Sequence, residues 1–173
     1  MTDEIQPVTP ESTGTPQFYY SIEDFDILLE PTVRTEIVEQ RNIYPIPHAP
    51  EWCRGMISLR GKLLPVLNVH RLLGRQSQTQ SHWLLVVESD PLPAVVIRID
   101  RLPMQHIVQA DDFQSIEDLN LPFWLTSAID VEGRNIYKAD HHKLFELLIL
   151  QNQQAAKPGS ETLLTPDSSG NQA

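Results

Sequence analysis

The chain has 173 residues, 23 acidic against 13 basic side chains, and a formal net charge of -10. That balance argues against nucleic acid or an anionic membrane as the main partner, because both reward an excess of Lys and Arg. A single cysteine, Cys53, excludes an intramolecular disulfide and fits a reducing compartment.

The first residues, MTDEIQPVTPESTG, are acidic and polar and lack the basic and apolar regions of a signal peptide. No apolar run approaches the roughly 20 residues that span a bilayer. The cytosol is the expected location. Residues 1–16 and 151–173 are rich in Pro, Ser, Thr, Gln and Glu and read as flexible tails, since neither offers enough apolar surface to offset the entropy of ordering. The folded unit is expected over 17–150.

Strand signals dominate that unit. QFYYSI (17–22) and FDILLE (25–30) flank the polar pair Glu23-Asp24, which predicts a tight hairpin. VRTEIVEQRN (33–42) is ambiguous between helix and strand. The alternation of Val33, Thr35 and Ile37 with Arg34, Glu36 and Val38 favours strand. Prolines at 45, 47 and 50 force an extended connection. GMISL (55–59) and KLLPVLNV (62–69) predict a hairpin around Arg60-Gly61, and NVHRLLG (68–74) a short helix stopped by Gly74. HWLLVVES (82–89) and PAVVIRID (93–100) flank Asp90-Pro91, and LPMQHIVQ (102–109) is a weaker strand. TSAIDVEGRNIYKAD (126–140) predicts two strands around Glu132-Gly133. DHHKLFELLILQ (140–151) predicts a helix capped by Asp140, with Leu144, Leu147 and Leu148 on one face, widened by Phe145 and Ile149. Short strands this closely spaced imply one or two small barrels.

Catalytic chemistry finds no foothold. The six histidines form no metal-ligand spacing, and adjacent His141 and His142 point about 100° apart on a helix. They read as solvated or singly hydrogen-bonded side chains. Cys53 reads as a small half-buried side chain, although Arg54 beside it could lower a thiol pKa. Asp111-Asp112 and Glu117-Asp118 read as a solvated loop, and the three tryptophans as core or cleft-rim anchors. No catalytic residue, cofactor or metal is expected. A β-rich binding module is the reading, with an enzyme of unrecognised type as the weaker alternative.

The stretch PHAPEWCRGMISLRGKLLPVLNVHRLLG is more specific. Ala49-Pro50, Trp52, Arg54-Gly55, the strand Met56 to Ser58, Leu59-Arg60-Gly61, the strand Leu63 to Leu67 with Pro65, and Asn68 to Gly74 occur in order. In that order they resemble the signature of the CheW family, adaptor proteins of bacterial chemosensory arrays. The resemblance runs more weakly over 17–150. It departs at Asp26 and Val96, where glycine is common, and at Asn68, where an acidic residue is usual.

The resemblance implies a mainly β fold of two small five-stranded β-barrel subdomains with short helices, including a C-terminal helix. It implies a non-enzymatic adaptor whose partners are a chemoreceptor cytoplasmic tip, held in the groove between the barrels, and the regulatory domain of a CheA-type histidine kinase. The location implied is cytoplasmic, at membrane-associated receptor arrays. Glu36 and Arg60 match positions expected to pair near the receptor face. Gly55, Gly61, Ile37 and Leu102 match positions lining or shaping it, and Arg34 stands where an apolar groove residue is common. The tails and LPMQHIVQADDF resemble the PilI-like branch serving type IV pilus twitching motility. A ChpC-like pilus adaptor, a flagellar CheW and a stand-alone ligand-binding β-barrel remain alternatives.

Overall fold

The computed structural model describes residues 14–39, 41–76, 83–116 and 121–155. Most of both expected tails, His82 and the Glu117-Asp118 pair lie outside these residues.

The first hairpin is β1 (Thr15–Ile22) and β2 (Phe25–Leu28), paired with Ser21 opposite Asp26. β1 takes in Thr15 and Pro16, two residues earlier than the sequence suggests. Asp26 does not disturb the hairpin. Its buried carboxylate accepts a hydrogen bond from Ser21 Oγ at 2.6 Å and is flanked by Arg101 and Arg134 at 3.4 and 3.5 Å. A buried carboxylate supplied with donors in this way avoids the cost of a lone charge.

β3 (Arg34–Glu39) is a strand, as the alternation favours. β4 (Cys53–Leu59) and β5 (Lys62–Leu67) form the second hairpin, followed by α1 (Val69–Leu72), whose N-cap side chain Asn68 accepts from the Arg71 amide. β6 (Trp83–Glu88), β7 (Val95–Ile99) and β8 (Arg101–Val108) follow. A three-residue helical turn at Ala110–Asp112 and the two-residue β9 (Gln114–Ser115) were not foreseen; their polar sequence carries no strand period. β10 (Leu125–Val131) and β11 (Arg134–Ala139) make the last hairpin, and α2 (His141–Ala155) closes the described chain. Asp140 Oδ1 accepts from the Lys143 amide at 2.8 Å, the expected N-cap.

The strands form two sheets. One has six strands in the order β8-β1-β2-β11-β10-β9, the other five in the order β3-β6-β7-β5-β4. The first therefore exceeds the expected five by one, because β9 pairs with β10. Among the described residues neither ladder joins its own edge strands directly. In the five-stranded sheet an isolated bridge from Tyr44 to Met56 ties the segment after β3 back to β4.

Three apolar clusters explain the layering. Val38, Ile57, Leu64, Val66, Leu84, Val86 and Val96 pack on one side of the five-stranded sheet. Tyr19, Leu28, Val108, Ile129 and Ile136 belong to the six-stranded sheet. The largest cluster draws on both sheets and both helices, including Tyr20, Ile27, Leu85, Ile97, Trp124, Leu144, Phe145 and Leu148. Val95 and Ile97 join it while Val96 between them faces the other way. A strand buried on both faces needs a continuous apolar run, which VVI and LLVV supply.

Two buried histidines tie these parts together: of the solvated or singly hydrogen-bonded states the sequence suggests, His70 takes the second, bonded to one residue, and His141 exceeds both with two partners. His70 Nε2 on α1 lies 3.2 Å from each Asp100 oxygen, and Asp100 also accepts from the Glu23 amide at 2.6 Å. Asp100 stands where the chain passes from one sheet to the other, so this clasp locks the crossing. His141, at the start of α2, meets Glu30 through Nδ1 at 3.1 Å and Tyr20 through Nε2 at 3.2 Å.

Candidate functional site

The Arg60-Gly61 turn lies at the centre of the candidate site. Arg60 has φ 49° and Gly61 φ 77°. Positive φ at both central residues gives the primed turn that matches strand twist. Glycine takes that conformation freely; arginine does so against the clash of its Cβ with the backbone. Arg60 therefore sits where Asn, Asp or Gly is the usual choice.

Its side chain reaches across to β3. Nη1 donates to Glu36 Oε2 at 2.8 Å and Nη2 to Oε1 at 2.6 Å, a two-pronged pair. Arg60 is 74% exposed and Glu36 38%. An exposed pair contributes only about 0–1 kcal/mol, too little to account for a strained arginine by stability alone.

On β3 the period-2 alternation separates two faces. Arg34, Glu36 and Val38 share one. Arg34 turns toward Glu88 at 3.5 Å and Asp90 at 3.3 Å. Val33, Thr35 and Ile37 share the other, and Ile37 is exposed. Val33 and Thr35 line a cleft of about 240 Å³ together with Phe18, Leu29, Glu30 and Pro31. This cleft lies between β1 and the β2–β3 connection.

The remaining sequence-predicted residues fall in different places. Gly55 sits at a bulge in the β4–β5 ladder with φ 135°, and a Cβ there would collide with the carbonyl oxygen of Tyr44. It is a structural necessity for the close approach of the proline-rich connection to β4. Gly61 completes the turn that presents Arg60. Leu102 is exposed on edge strand β8 of the other sheet, with Met104 and Ile107 also exposed on that strand. The structure thus brings Glu36, Arg60 and Gly61 together. Ile37 is placed beside them on the opposite face of β3, Gly55 lies at the far part of the Arg60 hairpin, and Leu102 is on the second sheet.

Sequence reasoning missed the cleft residues Phe18, Glu30 and Val33. The alternation of Val33, Thr35 and Ile37 was the available signal. Nothing local could pair Glu30 with His141, 111 residues away. Burial pushes the Glu30 carboxyl up, but the two hydrogen bonds from His141, through its ring and its amide, outweigh this and hold it below the ordinary carboxylate range. Burial, and then the field of Glu30, push the Tyr20 phenol well above its usual range.

For a metal, Glu23, His70 and Asp100 are the group among the described residues whose ligand atoms lie within 4.8 Å of one another. Both Asp100 oxygens are already engaged by His70 and one by the Glu23 amide. That suits the clasp described above.

A family model described as the CheW-like domain matches residues 34–148, about two thirds of the chain. The chain belongs to the CheW-like domain family. The matched span contains β3, the Arg60 hairpin and most of α2. Among curated proteins, the chemotaxis protein CheW of Thermotoga maritima is 29% identical over 66 residues, covering 38% of this chain and 44% of that protein. The chemotaxis protein CheW of Treponema pallidum is 30% identical over 88 residues, covering 46% and 50%. These matches span about half the length of those relatives or less. Among solved structures, the scaffolding protein TtCheW of Thermoanaerobacter tengcongensis superposes with a TM-score of 0.68 at 18% identity, over 81% of this chain and 93% of that one. That likeness establishes the CheW fold: mainly β, two sheets, few helices.

Proposed function

We propose that this CheW-like protein is a non-catalytic adaptor that couples a methyl-accepting chemoreceptor to a CheA-type histidine kinase. The observation that carries the reading is the Glu36–Arg60 pair, in which a strained, exposed arginine is held at a strand end by two short hydrogen bonds. Stability does not call for that arginine, so a partner is the better reason for it. The cleft beside β3 supplies the apolar surface that a helical hairpin needs. Glu36, Ile37, Arg60, Gly61, Gly55 and Leu102 are proposed to line or shape the receptor face. The naming of the curated relatives as chemotaxis proteins, and of TtCheW as a scaffolding protein, supports the same reading.

The protein is proposed to work in the cytoplasm, at receptor arrays. No helix among the described residues is long and apolar enough to cross a membrane. As output we propose type IV pilus twitching motility, on the resemblance of LPMQHIVQADDF to PilI-like adaptors; a flagellar output is the alternative. Individual contacts are modest in this scheme, and the array gains stability by multivalency.

Calorimetric titration of the protein with a chemoreceptor hairpin fragment, and separately with a CheA regulatory domain, tests the reading. Micromolar binding to both is expected. Absence of binding to either at that concentration contradicts it. Deletion in the source organism discriminates the outputs: lost twitching with intact swimming supports the pilus assignment, and the reverse overturns it.

A further inference from the structure

The cleft beside β3 has the chemistry of a side-chain pocket. Its volume is about 240 Å³, and Phe18, Leu29, Pro31 and Val33 give it apolar walls. Glu30 lines it with a side chain that is 27% exposed. Among the described residues no lysine or arginine pairs with Glu30; its charged-group contact is the ring of His141. Tyr20, whose phenol burial keeps protonated, can donate to His141 Nε2 while His141 Nδ1–H donates to Glu30 Oε2. Both hydrogen bonds that His141 gives Glu30, from its amide and its ring, fall on Oε2. Arg34, the nearest cation along β3, is turned to Glu88 and Asp90.

We propose that this cleft is a pocket for a lysine or arginine side chain presented by a helix of the bound receptor hairpin, an inference that rests on the receptor reading and names the chemistry it selects. The aliphatic stem of such a side chain packs along Phe18 and Val33, and its cationic head meets Glu30. Long basic side chains combine these two properties. An apolar side chain entering instead would strip water from the exposed side of the carboxylate and add no hydrogen bond to replace it, which is costly. The acidic balance of the chain, -10 overall, adds attraction of the same sign at longer range.

Two measurements on the full chain test the pocket. In the first, amide NMR spectra are followed during titration with n-butylguanidinium and n-butylammonium, with n-pentanol as the neutral control. The cations are expected to shift the amides of Phe18 and residues 29–35 saturably, and n-pentanol is not. Glu30→Gln is expected to weaken the cation response about tenfold, the loss of one charge-assisted contact. Asp24→Asn, which removes one negative charge outside the cleft, is expected to keep it. Equal shifts with n-pentanol, no saturable shift, or an undiminished response in Glu30→Gln overturns the pocket.

In the second, the receptor hairpin fragment is compared with a version whose tip lysines and arginines are changed to glutamine. The changed fragment is expected to bind about tenfold more weakly. Equal binding of both fragments overturns the pocket and leaves the receptor reading intact. Failure of both fragments to bind overturns the receptor reading, while the first measurement still decides the pocket.

Discussion

Arg60 and Glu36 are joined by two short hydrogen bonds, 2.8 and 2.6 Å, although Arg60 holds a left-handed φ of 49° to make them. The turn would form more easily with another residue there, and the ion pair is too exposed to offset the strain by much. Arg60→Gly and Arg60→Asn are therefore expected to fold with stability unchanged or raised by up to about 1 kcal/mol. The same variants are expected to lose binding to the receptor fragment. Thermal melts and calorimetry on one set of samples check both. A variant that melts lower by several kcal/mol would assign Arg60 to the fold instead.

Gly55 and Gly61 both have positive φ, but only Gly55 is crowded. The Tyr44 carbonyl oxygen occupies the space of a Gly55 Cβ, while nothing lies near that of Gly61. Gly55→Ala is expected to cost about 2–4 kcal/mol, from backbone strain and displacement of the Tyr44–Met56 bridge. Gly61→Ala is expected to cost about 1–2 kcal/mol, from φ alone. Chemical denaturation of the two variants tests the ordering, and equal losses would contradict it.

His141 holds α2 to the β1–β2 hairpin through Glu30 and Tyr20. Removing it leaves a buried void and two groups short of a partner. His141→Ala is expected to cost about 3 kcal/mol or more, and Tyr20→Phe about 0.5–1.5 kcal/mol. Hydrogen exchange is expected to show faster exchange along α2 in His141→Ala, and uniform protection there would contradict the anchoring role.

Acid is expected to destabilise the protein through Glu30 and Asp140. Burial pushes Asp140 up, but hydrogen bonds with Lys143 hold its carboxyl below the ordinary 3.8, as His141 holds Glu30 below 4.5. A depressed folded pKa adds stability that is fully present above the unfolded value and lost as pH falls through the folded one. Stability is thus expected to decline as pH falls from about 5 to 3. The decline is expected to be shallower in Glu30→Gln and Asp140→Asn. A slope unchanged in both variants, measured by denaturant titration at several pH values, would contradict this.

Much of the fold was legible because its hairpins rest on local chemistry. Glu23-Asp24, Arg60-Gly61 and Glu132-Gly133 each place a positive-φ residue between strand-period runs, and each is a turn in the structure. The Asp140 cap and the Leu144–Leu148 face were equally local. β9 was not legible, since two polar residues become a strand only through an edge supplied by β10. The roles of His70 and His141 were hidden for the same reason: their carboxylates lie 30 and 111 residues away. The Glu36–Arg60 pairing was reached through a family resemblance, because no spacing rule links residues on separate strands.

Reconstitution of kinase output tests the central claim most directly. Chemoreceptor in vesicles and a CheA-type kinase are combined with and without the protein, and kinase autophosphorylation is measured with and without receptor ligand. The adaptor account predicts that the wild-type protein brings the kinase to the vesicles and makes its phosphorylation respond to receptor ligand, while Arg60→Gly, folded, does neither. Kinase that responds equally without the protein, or equally with Arg60→Gly, would contradict it.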